Sequence, residues 1–178
     1  IMRAGDNVFL DQYSHASVVD GAILAKSKTV FFRHNNPLDL ERKLGRCTGK
    51  KLVVVEGVYS MDGDVCALPE IVEVAKRHGA RILIDEAHST FLFGPNGRGV
   101  AEHFGLDQEV DFHLGTFSKS LGGQGGFVCG SRELINYLNG FSRSRFFSCN
   151  LSPILAAGLL AGLRIAEEEP QLRAKLWS

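Results

Sequence analysis

No apolar run in this chain is long enough to cross a bilayer; the longest spans only Ile154 to Leu163. Neither sign of charge dominates. Lys+Arg number 20 against 20 Asp+Glu, the formal net charge is zero and the pI is about 7.2. That balance removes the electrostatic reason to expect nucleic acid or an anionic membrane as a partner. Cysteines are few, and Cys47, Cys66, Cys129 and Cys149 form no CxxC pair. Their scatter argues against a zinc site or a disulfide framework and predicts a reducing, cytoplasmic setting. The opening Ile-Met-Arg-Ala-Gly-Asp lacks the apolar core and cleavage site of a secretory leader. Internal repeats and low-complexity tracts are missing, as are GxSxG, HExxH and EF-hand patterns. Gly45-Arg46-Cys47-Thr48-Gly49-Lys50 is one residue short of a phosphate loop and is followed by Lys51 instead of a hydroxyl residue, so it reads as a surface turn. His34, His78, His103 and His113 lack metal-ligand spacing and read as surface or turn residues, so no metal is predicted. Asn150-Leu151-Ser152 is a glycosylation sequon by pattern only.

What is present is ordinary globular material. The 178 residues, 44 % hydrophobic and 22 % charged, suffice for one domain with a sizeable core. Short β-rich runs occur at Val8 to Leu10, Thr29 to Arg33, Leu52 to Val55, Arg81 to Ile84, Phe112 to Gly115 and Gly126 to Cys129. Several are apolar almost throughout, as strands buried on both faces are. Amphipathic segments lie between them. The clearest predicts a helix over Pro69 to His78, with Glu70 and Glu73 towards its positive end, Lys76, Arg77 and His78 towards its negative end, and Gly79 to stop it. A last helix is predicted from a Ser152 cap and Pro153 towards Glu168, and Phe146-Phe147 reads as strand-like. Strands alternating with helices predict an α/β domain with a mostly parallel sheet and flanking helices. The chain opens directly into a strand and stops at Leu176-Trp177-Ser178 without a terminating signal, which predicts a segment of a larger protein.

Three segments carry chemistry. In Ile82-Leu83-Ile84-Asp85-Glu86-Ala87-His88-Ser89, an apolar strand delivers a carboxylate at its C-terminal end, where open α/β sheets place ligands. Alone, such an Asp is more often a helix cap or turn former. In Gly115-Thr116-Phe117-Ser118-Lys119-Ser120-Leu121-Gly122-Gly123, hydroxyl groups surround one lysine. They suit a phosphate, and the amine suits an aldehyde, although a solvated loop lysine is the plainer reading of this segment by itself. Glu56-Gly57-Val58-Tyr59-Ser60-Met61-Asp62-Gly63-Asp64 follows a buried strand as a polar turn. Together they suggest an aldehyde held by a lysine, a phosphate held by hydroxyls and a ring nitrogen facing a carboxylate. That cofactor is pyridoxal 5′-phosphate.

EGVYSMDGD, DEAHS and GTFSKSLGG, with DQYSHASVVDG and FRHNN upstream, closely resemble the α-oxoamine synthase family of fold-type I pyridoxal-phosphate enzymes. The order and spacing of these five motifs match over nearly the whole chain. The resemblance implies the central part of the large, aspartate aminotransferase-like domain, with an N-terminal segment and a C-terminal small domain outside residues 1–178. It implies Lys119 as the Schiff-base lysine, Asp85 as partner of the pyridinium nitrogen and His88 as donor to the ring's phenolic oxygen. His15 is implied to stack on the ring, and Ser60 to lie near the cofactor. Thr116 and Ser118 are implied near the phosphate. Ser148, in Phe147-Ser148-Cys149-Asn150, matches a position reaching the phosphate of the neighbouring subunit, with serine replacing the more usual threonine.

The activity implied is acyl transfer. An amino acid condenses with an acyl thioester, carried by CoA or an acyl-carrier protein, usually losing carbon dioxide to give an α-amino ketone. TFSKS before a glycine-rich turn, and DEAHS before FGPNGRG, look most like serine palmitoyltransferase, with 8-amino-7-oxononanoate synthase close by; roles in sphingolipid or secondary-metabolite synthesis both fit. The family implies a homodimer with shared sites. An aminotransferase or lyase of the same fold, and a catalytically silent partner subunit, are the alternatives. The SHAS context argues against the first, and intact Lys119, Asp85 and His88 argue against the second.

Overall fold

The computed structural model describes residues 1–149 and 151–178; Asn150, and with it the sequon, lies outside the described residues. Six strands form one sheet: β1 (Asn7–Asp11), β2 (Lys28–Phe32), β3 (Lys51–Glu56), β4 (Arg81–Asp85), β5 (Phe112–Thr116) and β6 (Gly126–Gly130). Their order is β2-β1-β3-β4-β5-β6; every neighbouring pair is parallel except the last. All six predicted strands are present, and the sheet is mostly parallel as expected. From β1 the chain moves outward to β2, then crosses back to β3 and continues the other way. That reversal opens a crevice beyond the C-terminal ends of β1 and β3, the place where such sheets bind ligands.

The pleat explains the core. Alternate residues face opposite sides, so Phe9, Val53 and Val55 pack on one side with Leu40, Leu44, Ile71, Val72 and Ala75. Val8, Leu10, Leu52 and Val54 pack on the other with Ala22 and Phe112. The first layer rests on α2 (Pro37–Leu44) and α3 (Leu68–Arg77), the second on α1 (Ala16–Leu24). The Asn36 side chain accepts the Asp39 N–H at 2.9 Å and Pro37 opens α2, which fixes where that helix starts. Helix α3 ends where Gly79 takes φ +61°, a conformation open to glycine without strain.

Beyond a single-turn helix α4 (Val100–His103) and strand β6 come α5 (Arg132–Phe141), α6 (Arg143–Phe146), α7 (Pro153–Glu168) and α8 (Pro170–Trp177), none of which has a buried residue. Ser152 accepts the Leu155 N–H and Pro153 opens α7, as predicted. Phe146 corrects the sequence reading: it closes a helical turn, not a strand, and the Arg143 guanidinium lies 5.4 Å above the Phe147 ring. His113 is corrected too, since it lies inside β5; His34 lies in a turn as expected, half-buried between two carboxylates. Residues 46–50 form the expected turn after α2. Among the described residues no helix is long and apolar enough to cross a membrane.

Candidate active site

Strands β1, β3, β4 and β5 end in Asp11, Glu56, Asp85 and Thr116 at the same edge of the sheet. Strand β4 ends in Asp85, buried to 6 % exposure and in register with Glu56 at the end of β3. Its Oδ1 accepts the Ala87 N–H at 2.9 Å, so the aspartate shapes the turn as well as facing the crevice. Burial pushes its carboxyl pKa up; the Ala87 N–H and the charges of Lys119, His15 and His88 pull the other way. His88 moves downward, first because burial disfavours its cation and next because Lys119 repels it, while Asp85 opposes both. Four groups predicted from three separate segments therefore share one electrostatic neighbourhood: Asp85, His88, His15 and Lys119. Among the described residues Asp85 makes no contact ion pair; the charges of Lys119, His15 and His88 act on it from farther away.

Lys119 stands in the turn between β5 and β6. Its Nζ donates to Thr116 Oγ1 at 3.3 Å. The turn is held open in shape by its backbone: Phe117 N–H bonds Gly125 O, Gly123 N–H bonds Phe117 O, and Gly122 N–H bonds Lys119 O. Ser120 Oγ donates to Thr90 O at 2.9 Å, tying this turn to the segment that carries His88. Ser118 is exposed beside the lysine. Of the two hydroxyl residues predicted near the phosphate, Thr116 is hydrogen-bonded to Lys119 and Ser118 precedes it in the chain.

His15 performs a second task. Its Nδ1 takes the Ser17 N–H at 3.3 Å and lies 2.8 Å from Ser17 Oγ, so the ring caps α1. Its own backbone N–H donates to Glu56 Oε1 at 2.6 Å. Glu56 is nearly inaccessible, and burial raises its pKa against the N–H groups of His15 and Ser60. One carboxylate therefore holds the backbone at two predicted site residues, His15 and Ser60. Sequence reasoning missed Glu56, although it carries the same signal as Asp85: a lone charge closing an apolar strand. Glu86 was missed too. It accepts from Ser89, Val100 N–H and Ala101 N–H, and a Cβ at Gly57 or Gly99 would overlap its carboxylate. That buried acid pins the segment between Asp85 and α4. Ser148 lies exposed in the bend after α6.

A hollow of about 640 Å³ between the β4–α4 segment and α8, lined by Leu92, Phe93, Pro95, Arg173 and Trp177, contains none of these groups. Convergent polar chemistry selects the strand-end crevice over that apolar space.

Comparison with known proteins agrees with this geometry. The 8-amino-7-oxononanoate synthase of Lysinibacillus sphaericus is 46 % identical over 178 residues, covering 99 % of this chain and 46 % of the relative. The serine palmitoyltransferase of Bacteroides ovatus is 43 % identical, covering 97 % of this chain and 44 % of the relative. A solved serine palmitoyltransferase from S. paucimobilis with bound PLP and myriocin superposes with a TM-score of 0.96 at 44 % identity, over 99 % of this chain and 46 % of that one. The chain spans about half the length of the curated relatives it matches. The family profile named Aminotransferase class I and II matches residues 1–178. With its sheet, its strand-end carboxylate and its turn lysine all in place, the chain belongs to the class I and II aminotransferase family.

Proposed function

We propose that the whole protein of which these residues form the cofactor-binding part is a pyridoxal-phosphate-dependent α-oxoamine synthase. It condenses an amino acid with an acyl thioester and releases carbon dioxide, giving an α-amino ketone, with serine palmitoyltransferase as its nearest functional likeness. The observation that carries this is the buried Asp85, without a contact ion pair among the described residues, in one electrostatic neighbourhood with Lys119, His15 and His88. A cationic ring nitrogen is the charge this pocket lacks, so the residues fit pyridoxal phosphate.

In that reading Asp85 keeps a proton on the ring nitrogen, and Lys119 anchors the cofactor. Thr116 and Ser118 hold its phosphate, with Ser60 close by. His88 donates a hydrogen bond to its phenolic oxygen, and His15 covers one face. When bound, the cofactor supplies an electron sink for the bond broken at the amino acid α-carbon. With the cofactor bound, Lys119 Nζ would take the α-proton, and Thr116 Oγ1, which accepts a hydrogen bond from that amine, would steady it. His15 is fixed at both backbone and ring, so it limits rotation of the substrate and keeps the reactive orientation. Ser148 is assigned to the partner subunit's phosphate site in a homodimer, as its match to the family position implies; its exposure supports that reading. The free cysteines fit a cytoplasmic enzyme.

Full-length protein with pyridoxal phosphate is incubated with amino acids and acyl-CoA thioesters. The proposal expects thiol and carbon dioxide release together, and borohydride fixing the cofactor on Lys119. Transfer of the amino group to an oxo acid without thioester consumption overturns it.

A further inference from the structure

Three loops leave the sheet at the edge that carries the site: residues 12–15 after β1, residues 33–36 after β2 and residues 57–67 after β3. One side chain stands between them. His34 Nδ1 lies 2.8 Å from Asp11 Oδ1, and its Nε2 lies 3.0 Å from Asp64 Oδ2. Tyr13 stacks on its ring at 4.1 Å, and Tyr59 meets it edge-on at 4.5 Å. Asp11 is wholly buried and also accepts from the N–H groups of Tyr13 and Asn35 and from the Tyr59 hydroxyl. Asn35, held at φ +50°, donates to Asp64 and to Val65 O and accepts the Ala67 N–H. Such a left-handed asparagine is kept only where its surroundings fix it.

A carboxylate oxygen only accepts hydrogen bonds, so a ring flanked by two of them is satisfied only when both nitrogens carry protons. His34 is then an imidazolium, the one cation paired with Asp11. Burial works against that charge, but Asp11 and Asp64 outweigh it and raise its pKa. The other titratable groups around the cluster are Asp62, within 4.8 Å of the His34–Asp64 pair, the two tyrosines, and the buried Cys66.

We propose that His34, clamped between Asp11 and Asp64, is a positioning residue that sets the two loops bearing His15 and Ser60. The connections are short. Asp11 grips Tyr13 N–H two residues before His15, and it grips the Tyr59 hydroxyl one residue before Ser60. Asp64 closes the turn around Ser60 through its carbonyl, which accepts Tyr59 N–H at 3.0 Å. Glu56 then joins His15 and Ser60 from beneath. His34 touches no reacting group; it acts through His15 and Ser60. This inference rests on the α-oxoamine synthase reading.

The test uses full-length holoenzyme and follows exchange of the amino acid α-proton with solvent deuterium. His34→Gln keeps one donor but no charge; the cofactor stays fixed on Lys119, its visible circular dichroism changes, and the exchange rate falls roughly tenfold, as for displacement of an orienting group. Asp64→Asn leaves the buried His34–Asp11 pair and folds normally. It moves the alkaline fall in exchange rate, and the His34 titration seen by histidine-selective NMR, together to lower pH. If His34→Gln does not fold, the Asp64→Asn profile decides. An unchanged dichroism and rate in His34→Gln, or an unmoved alkaline limb in Asp64→Asn, overturns the inference. Cofactor fixed elsewhere than Lys119 overturns the underlying reading instead.

Discussion

The stretch from β1 to β5 and the stretch from β6 to α8 use the same strands and helices, yet they bury differently. In the first, Phe9, Phe32, Leu40, Leu44, Ile71 and Ile84 are fully inaccessible. In the second, no helix has a buried residue, and Phe141, Phe147, Ile154 and Trp177 stand more than half exposed. The first stretch supplies its own hydrophobic core; the second leaves large apolar side chains exposed among the described residues. Lys119 sits at the seam between them. The site therefore takes its rigidity from one side, while its completion, by Ser148 of a partner in the reading above, belongs to the other.

The largest expected effect lies at that seam. Lys119→Ala abolishes condensation by the full-length enzyme yet leaves amide exchange protection of β1, β3 and β4 unchanged, since the lysine is exposed and contributes nothing to the core. Loss of that protection would break the division between site and scaffold. Next comes the core itself. Ile71→Ala destabilises the protein by about 2–5 kcal/mol in denaturant titration, the range for emptying a packed site. Phe147→Ala, on the other side of the comparison, leaves that titration unmoved within about 0.5 kcal/mol per subunit and instead weakens self-association in sedimentation.

The pH response sharpens the contrast further, because three carboxyls raised by burial, Glu56, Asp85 and Glu86, all lie in the first stretch. A carboxyl whose folded pKa lies above its unfolded one binds its proton more tightly in the native state. Its contribution to stability is then lost as pH rises from the ordinary glutamate value through the raised one. Glu86→Gln removes one such group, so the wild-type minus variant stability falls over that window; a difference that is flat or rises contradicts the burial argument. The smallest effect is expected for Ser148→Ala, which lowers the cofactor-driven shift towards dimer without altering stability. A monomer that binds cofactor stoichiometrically and turns over would remove the shared site.

Much of this was legible in residues. The mostly apolar runs ending in Asp85 and in Thr116 announced both the strands and the groups at their tips, because parallel strands covered on both faces read as near-continuous apolar runs and a polar residue closing one stands out. The Pro69 to His78 pattern marked its helix within one residue at each end, set by Pro69 and Gly79. Glu56 went unread because its significance depends on the register that sets it beside Asp85. The pairing of His34, read only as a surface or turn residue, was not legible because Asp11 and Asp64 are brought to that turn by the order β2-β1-β3. Phe146 misled for another reason. Aromatic pairs favour strands when they have a sheet to pack on, and this one has none.

The account stands or falls on Asp85. Asp85→Asn is made in the full-length enzyme, loaded with pyridoxal phosphate and mixed with the amino acid substrate in deuterated buffer. A neutral amide cannot keep the ring nitrogen protonated, so the variant retains cofactor on Lys119 while α-proton exchange is lost. Exchange continuing at the wild-type rate would show that the buried carboxylate is not what makes this crevice a catalytic site.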